Sequence, residues 1–456
     1  MASEFPLSFS YGLGDDLAYS SYSMKLIDSK LAAVGSKSRA RGAEQSFLAS
    51  APLLPDVGVL ALVPDRWHWQ WQPRHQVMTR LARYFTVVWM NPAEYWRDSL
   101  RPNKFLAPRE EMPIPRPSFV IHTPSPFLPA LFSPRWLAQS FLRKRLENAR
   151  QVLLGRGCKR IVLYLWRPDF APALDLIPFD LSCYHIDDEY SFSSVDIPIS
   201  ETESYLLARA DQVFIHSPAL LEKKGQINLQ TAFAPNGVDF LAYARPVPEP
   251  ADIAGIPHPR IGYSGRLKKQ LDWALLLDLA AHHPEWFFVF VGAVNPHPEI
   301  AAYIDQLSRR PNVRFLGSKT VQELATYPQH FDVCVMPYLR DDYTKYIYPL
   351  KLHEYLASGR PAVGTPIASL EAFRDVVRLP ETQDQWSAAI AESLGSAANS
   401  NEQRMIRQAL AKKYDWEILA RRIAETMASR LGPEYSSRIA REPACEVDFS
   451  PDASRT

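Results

Sequence analysis

Net charge is nearly absent from this sequence, as are paired cysteines and long apolar runs. Fifty-one Lys and Arg against fifty Asp and Glu leave a formal charge of +1. No global field draws such a chain to nucleic acid or to an anionic membrane, so no nucleic-acid partner is expected and any anion must be bound locally. The four cysteines, Cys158, Cys183, Cys334 and Cys445, are scattered with no CxxC pair, and two lie inside apolar runs that read as buried strands. That usage suits reduced thiols in a cytosolic protein. The longest apolar run, "WFFVFVGAV" (286–294), is far too short to span a bilayer, and the start "MASEFPLSFSYGLGDD" has neither a basic n-region nor a continuous apolar h-region. Neither export nor a transmembrane helix is expected. No repeat of fixed short period, low-complexity block or heptad pattern is present.

What is there is a globular chain of 456 residues with 46% hydrophobic content, enough for two or three cores. Short β-branched or aromatic runs alternate with polar turns and helical stretches. In the first half the runs are 57–63, 85–90, 118–122, 161–165, 181–186 and 212–216; after a Pro-rich break the series restarts at 260–265, 287–292, 312–317, 331–337 and 360–365. Runs without clean polar alternation suit strands buried on both faces of a parallel sheet. The reading is α/β, with two doubly wound Rossmann-like domains facing a cleft: 51–245, a linker 246–260, and 261–431, between mobile tails 1–50 and 432–456. Ligands of such sheets sit beyond the carboxyl ends of the strands, so two facing domains make one deep cleft.

The stretch "YIYPLKLHEYLASGRPAVGTP" (346–366) reads as a helix over about 349–358, with Pro349 at the first helical position, Gly359 at C′ and Pro361 as a stop. Lys351 and Glu354 are three apart and share a face within about the first two turns. The helix N-terminus offers free N–H groups to phosphate, and a carboxylate slightly further along can accept two hydrogen bonds from a vicinal diol. That geometry suits a nucleotide diphosphate; the alternative is an i,i+3 ion pair on a wet face. A second cluster, "GYSGRLKKQLDW" (262–273), leaves a strand through Gly265 and places Arg266, Lys268 and Lys269 at the start of a helix. Cations there oppose the positive helix end unless an anion lies between them, although lysines snorkelling at a surface would look the same. GxG glycines are missing from this turn, so a dinucleotide fingerprint is not supported.

These pieces, with "PNGVD" (235–239), "FVFVGA" (288–293), "NVRFLGSKTVQELATY" (312–327) and "DVCVMPY" (332–338), cover about 130 residues in order and spacing. They resemble nucleotide-sugar-dependent glycosyltransferases of the GT-B fold, particularly retaining family 4 and group 1 enzymes of cell-envelope polysaccharide synthesis. "RHQVMTRLARYFTVVWMNP" (74–92) and "CYHIDDEYSF" (183–192) more weakly resemble the N-terminal domain of teichuronic-acid-type transferases. The resemblance implies a hexosyltransferase-type enzyme that moves a sugar, with retention, from a nucleotide-diphosphate sugar to a hydroxyl of a growing glycan or lipid-linked saccharide, with no other cofactor. Glu354 would be the second glutamate of the Glu-x7-Glu motif and bind ribose, while Arg266 with Lys268 or Lys269, joined by Lys351, would clamp the diphosphate. The first glutamate is replaced by Tyr346, which with Pro349 and Leu350 marks the expected donor-sugar region.

In "YHIDDEYSF" three acidic neighbours, Asp187, Asp188 and Glu189, invite a metal reading, but consecutive strand residues point to opposite faces and no metal is expected. His185 would face the cleft and assist the acceptor hydroxyl or the sugar, or else be a core histidine; Asp187 is the competing acceptor contact. "SPRWLAQSFLRKRLENAR" (133–150) has apolar residues four apart among Arg135, Arg143, Lys144 and Arg145. It reads either as a core-packing helix or as a peripheral contact at the inner face of the plasma membrane. A nucleotide-sugar epimerase of the same fold and a non-catalytic glycan-binding scaffold are the rival functions.

Overall fold

The structure is a computed structural model that describes residues 51–68, 71–95, 116–131, 133–190, 199–295 and 297–442. Of the tails expected to be mobile, 1–50 and 443–456 lie outside the described residues, as does Cys445; Cys158, Cys183 and Cys334 are free and buried. Among the described residues thirteen strands form two sheets. The first holds β1 (Leu54–Leu62), β2 (Phe85–Met90), β3 (Phe119–His122), β4 (Arg160–Leu165), β5 (Leu181–Ile186), β6 (Gln212–Ile215) and β7 (Thr231–Phe233) in the order β3-β2-β1-β4-β5-β6-β7. The second holds β8 (Arg260–Ser264), β9 (Phe287–Val291), β10 (Val313–Phe315), β11 (Val333–Met336), β12 (Ala362–Gly364) and β13 (Val377–Arg378) in the order β10-β9-β8-β11-β12-β13.

Every pairing between named strands is parallel, and β2 and β5 are buried along their whole length, which is why their sequences lack polar alternation. In both sheets the strand order reverses beside the first strand, between β1 and β4 and between β8 and β11. These are the switch points at which doubly wound sheets bind ligands. The register Leu62↔Met90 and Leu62↔Leu165 brings three strand ends level, so the loops that follow share one rim.

Two boundaries differ from the sequence expectation. Val238, Phe240, Tyr243, Ala244, Ile253 and Ile256 all join the core of the second domain, so the chain crosses over near 234–238 and residues 246–260 pack on that domain instead of bridging the two. Buried apolar side chains, invisible as such in a Pro-rich run, hold them there. The helix Trp416–Leu431 is the second difference. Its stripe of Trp416, Leu419, Ile423, Ala424 and Met427 packs in the core of the first domain, where Tyr435 and Ile439 of the helix Pro433–Ala440 join it. Helical spacing gives this stripe one apolar face, and the face covers the first sheet. Arg80 meets Glu417 at 3.0 Å and Arg438 meets Asp56 at 2.9 Å across the same contact. Among the described residues no helix is long and apolar enough to cross a membrane.

Candidate active site

At the carboxyl end of β8 the chain makes a close backbone approach. Gly265 has φ +122° and donates its N–H to Val291 O at 2.7 Å, while Gly292, at φ +142°, leaves so little room that a Cβ there would lie 2.1 Å from Gly265 O. Only glycine tolerates both the dihedral and the approach. A Cβ on Gly265 would meet Lys351 Nζ at 2.5 Å, so the lysine lies directly against this turn, its ammonium 4.9 Å from the Tyr263 ring centroid. Arg266 comes next and is exposed, with its carbonyl fixed by Tyr263 Oη at 3.0 Å. Residues 266–272 are not the helix start expected from sequence. Leu267 and Leu271 are buried and bridge to Val294 and Tyr338, and the helix Trp273–His282 begins only after Asp272, whose Oδ1 accepts from Leu275 N at 2.9 Å. The cations therefore ride on a loop pinned by two leucines.

Burial, then the nearby Lys351 and Arg266 charges, push the Lys268 ammonium down; Asp188 of the facing domain opposes them. Arg266, though exposed, is also lowered, by partial desolvation of its guanidinium among the neighbouring groups. Among the described residues none of Arg266, Lys268 and Lys351 has a carboxylate within ion-pair distance. Lys269 is exposed and does not figure in this mutual repulsion. Like charges held together without counterions at a switch point form a site for an anion.

The helix Leu350–Ser358 runs beside this loop. Pro349 serves as its N-cap, one position earlier than expected, and Gly359 at φ +77° ends it, donating to Leu356 O at 3.0 Å. The i,i+3 ion pair does not form: Lys351 turns to Gly265, and Glu354 accepts a hydrogen bond from Tyr243. Burial raises the Glu354 carboxyl, while Lys351 and Tyr243 pull it back. Tyr243 was missed from sequence because it reads as an apolar residue of the short helix Phe240–Ala244, and nothing local marks its hydroxyl.

The expected donor-sugar region is corrected. Tyr346 is buried against the core of the first domain, with Lys223 and Lys345 ammoniums 5.0 and 5.2 Å from its ring centroid. Leu350 packs on the other core of that domain, and Asn236 Nδ2 donates to Tyr348 O at 2.8 Å. Apolar side chains thus make 346–350 a domain junction, with Pro349 its helix cap.

On the facing rim the three acidic neighbours after β5 diverge. Asp187 is clamped by Arg74 Nε at 3.0 Å and by Tyr190 Oη at 2.8 Å, and Arg74 also pairs with Asp65. Glu189 is 1% exposed and joins Lys224 Nζ at 2.9 Å in a buried network with Glu203 and Lys223. Removing one partner of such a network costs roughly 3–5 kcal/mol. Asp188 alone turns toward the second domain, its Oδ1 accepting from Glu189 N at 2.9 Å. Among the described residues no group of three or more His, Cys, Asp or Glu is placed to hold a metal ion. His185 is 3% exposed, shares a hydrogen bond with Tyr164 Oη at 2.8 Å and stacks on Trp166 at 4.2 Å. Burial pushes its pKa down to about 3, so of the two readings its sequence left open it is the neutral core imidazole. Strand alternation separates Asp187 from Asp188 but does not say which faces the cleft.

Residues 258–396 match the family model described as glycosyl transferases group 1. A curated relative, "Putative teichuronic acid biosynthesis glycosyltransferase TuaH" of Bacillus subtilis (strain 168), is 27% identical over 237 residues, 49% of this chain and 58% of the relative. The chain thus spans a little over half the length of that relative. Among solved structures, the sucrose-phosphate synthase from Thermosynechococcus elongatus superposes with TM-score 0.59 at 17% identity, covering 82% of this chain and 98% of that one. An E. coli structure, "Trehalose-6-phosphate from E. coli bound with UDP-2-fluoro glucose", gives TM-score 0.59 at 12% identity over 82% of this chain and 99% of that one. The chain has the GT-B fold of these structures, and its residues 258–396 are similar to a glycosyl transferases group 1 domain.

Proposed function

We propose that this protein transfers a sugar, with retention, from a nucleotide-diphosphate sugar to a hydroxyl of a growing glycan or lipid-linked saccharide. One observation carries the reading: Arg266, Lys268 and Lys351 gather around Gly265 with no carboxylate at ion-pair distance, so an anion completes the site. A diphosphate fits between that loop and the N-terminus of the helix Leu350–Ser358, where free N–H groups point. Glu354 then lies a turn further on for the ribose diol. The uridine nucleotide sugar held by the E. coli structure makes uridine donors the first to try. As the glycosidic bond breaks, negative charge moves onto the diphosphate, and the fixed cations stabilise it without rearranging.

The test is a thermal-shift screen of UDP, GDP and ADP, followed by incubation of the matching nucleotide sugars with and without saccharide acceptors. Ligand at about 100 times its Kd raises stability by roughly 2.7 kcal/mol. Turnover that needs an acceptor supports transfer; isomerised donor without acceptor identifies an epimerase, and binding without turnover a scaffold. Three cations suffice to neutralise the diphosphate, so activity is expected to persist in EDTA. Complete loss in EDTA, restored by Mg²⁺ or Mn²⁺, overturns the metal-free reading.

The acceptor reading adds a peripheral contact at the inner face of the plasma membrane. In the helix Arg135–Gly155, Arg145, Leu146, Ala149 and Leu153 are buried, but the first two turns stand clear and Trp136 is 67% exposed. Arg145 donates to Leu128 O at 3.0 Å and holds the preceding loop, on which Phe127 is 87% exposed, against the helix. Two bare aromatics beside exposed Arg135, Arg143 and Lys144 suit an anionic lipid interface. Phe127→Ser with Trp136→Ser is expected to weaken sedimentation with phosphatidylglycerol vesicles by at least about tenfold, since each buried aromatic contributes roughly 1.5–3 kcal/mol. Equal binding by the double variant, or no preference over phosphatidylcholine, refutes the contact.

A further inference from the structure

Glu354 is held from outside its own helix. The Tyr243 hydroxyl donates to its carboxylate, and Tyr243 belongs to the short helix Phe240–Ala244, which follows the crossover between the domains. That helix is pinned at both ends. Phe240 N donates to Asp415 Oδ2 at 3.3 Å, and the Tyr243 carbonyl accepts from Gln329 Nε2 at 2.8 Å. The two chain crossings also pair with each other, Val238 N to Tyr414 O and Trp416 N to Val238 O, both at 3.0 Å. Tyr243 is 6% exposed in the core of the second domain, whereas Glu354 is half-buried. The phenol therefore lies behind the carboxylate and leaves its outer side to the site.

We propose that Tyr243 is a positioning residue: its hydroxyl holds the Glu354 carboxylate in the orientation that accepts the two hydroxyls of a nucleotide's ribose. The role rests on the nucleotide-sugar reading above and extends it to a residue that itself touches no ligand. A glutamate has several rotatable bonds, and one already fixed loses less freedom when the diol binds. Lys351 does not supply this hold, because its ammonium lies against the Gly265 turn.

The same contact bears on the charge of the carboxylate. Burial raises the Glu354 carboxyl, while Lys351 and the Tyr243 hydrogen bond favour its ionised form. Lys351 acts from the same helix and Tyr243 from the helix Phe240–Ala244; Tyr263 of β8 and Tyr338 after β11 face the carboxylate as well. Burial, and with it the Glu354 charge, pushes all three phenols up, so none carries charge near neutral pH. Removing the Tyr243 hydroxyl lets the Glu354 carboxyl rise further, so that diol binding, which fades as pH falls through that carboxyl, fades at a higher pH.

Calorimetry with UDP, GDP and ADP finds a diphosphate that binds, and its 2′,3′-dideoxy form supplies the same molecule without the diol. Both are titrated between about pH 5.5 and 8.5 into wild type, Tyr243→Phe, Glu354→Gln and the double variant. Tyr243→Phe is expected to weaken the diol form about tenfold and the dideoxy form far less, and its loss of binding toward acid should begin at higher pH than in wild type. In the Glu354→Gln background the same change should cost less than about twofold, because a residue acting through the Glu354 carboxylate has nothing left to hold. Wild-type affinity and pH profile in Tyr243→Phe, an equal loss for both forms, or additive losses in the double variant overturn the positioning role. Unchanged diol binding by Glu354→Gln alone removes the ribose contact, and a wild type that binds none of the three diphosphates defeats the nucleotide-sugar reading; either result takes this assignment with it.

Discussion

Arg266→Ala is expected to lower kcat by about 10²–10³ while raising the donor KM far less, the signature of one preorganised charge lost from the transition state. Gly265, at φ +122°, turns the chain out of β8, and the Tyr263 hydroxyl holds the Arg266 carbonyl at 3.0 Å, so the side chain starts from a rigid point on the rim. A guanidinium there meets two phosphate oxygens at once, a match that lysine keeps only in charge. Arg266→Lys should therefore recover part of the rate. Because Arg266 is exposed, neither substitution should disturb the core. Initial-rate kinetics on a folded variant decide the matter. Wild-type turnover by Arg266→Ala would move the leaving-group role to Lys268 or Lys351.

Glu354→Gln carries the second large effect, on binding. Losing a charged partner for the ribose diol should weaken nucleotide-sugar affinity by roughly 1.5–3 kcal/mol, or about 10- to 150-fold. Its effect on stability has the opposite sign. Burial raises the Glu354 carboxyl above its ordinary 4.5, so the folded protein holds this proton more tightly than the unfolded chain does. Stability from this group is complete below the unfolded value and is lost as pH rises through the folded one. The neutral amide escapes that loss, so the variant should melt no lower than wild type at pH 7 to 8. Calorimetric titration showing unchanged affinity in a folded variant would remove the ribose role.

The strands show how far local pattern reaches. All eleven apolar runs became strands, because a residue run buried on both faces must be apolar wherever its neighbours come from. The two strands not foreseen, Thr231–Phe233 and Val377–Arg378, sit at sheet edges and are three and two residues long, too short to carry a pattern. The helix between Pro349 and Gly359 was equally legible, since its cap and stop are backbone properties of single residues.

The cation cluster was legible only in part. Charge type and order along 262–273 located a cluster of cations, but the helix start failed because Leu267 and Leu271 bury against Val294 and Tyr338, partners that sequence does not put beside them. The same limit separates Asp187, Asp188 and Glu189. Their type says that one of them could serve an acceptor, and their alternation says that they diverge. Which one is spent on Arg74, 113 residues away, and which on Lys224, 35 residues away, follows only once the helices carrying those cations have packed. Tyr346 was ambiguous for the same reason, and the core of the first domain claimed it. By itself the sequence determined the two parallel sheets, the cation-bearing loop and the helix beside it, because each follows from residues close in the chain. The tertiary structure decided the crossover near 234–238, the return of the helix Trp416–Leu431 to the first domain, the Tyr243 hydrogen bond to Glu354 and the freedom of Asp188. Those depend on which distant group reaches a side chain first, and the packing of two domains settles that.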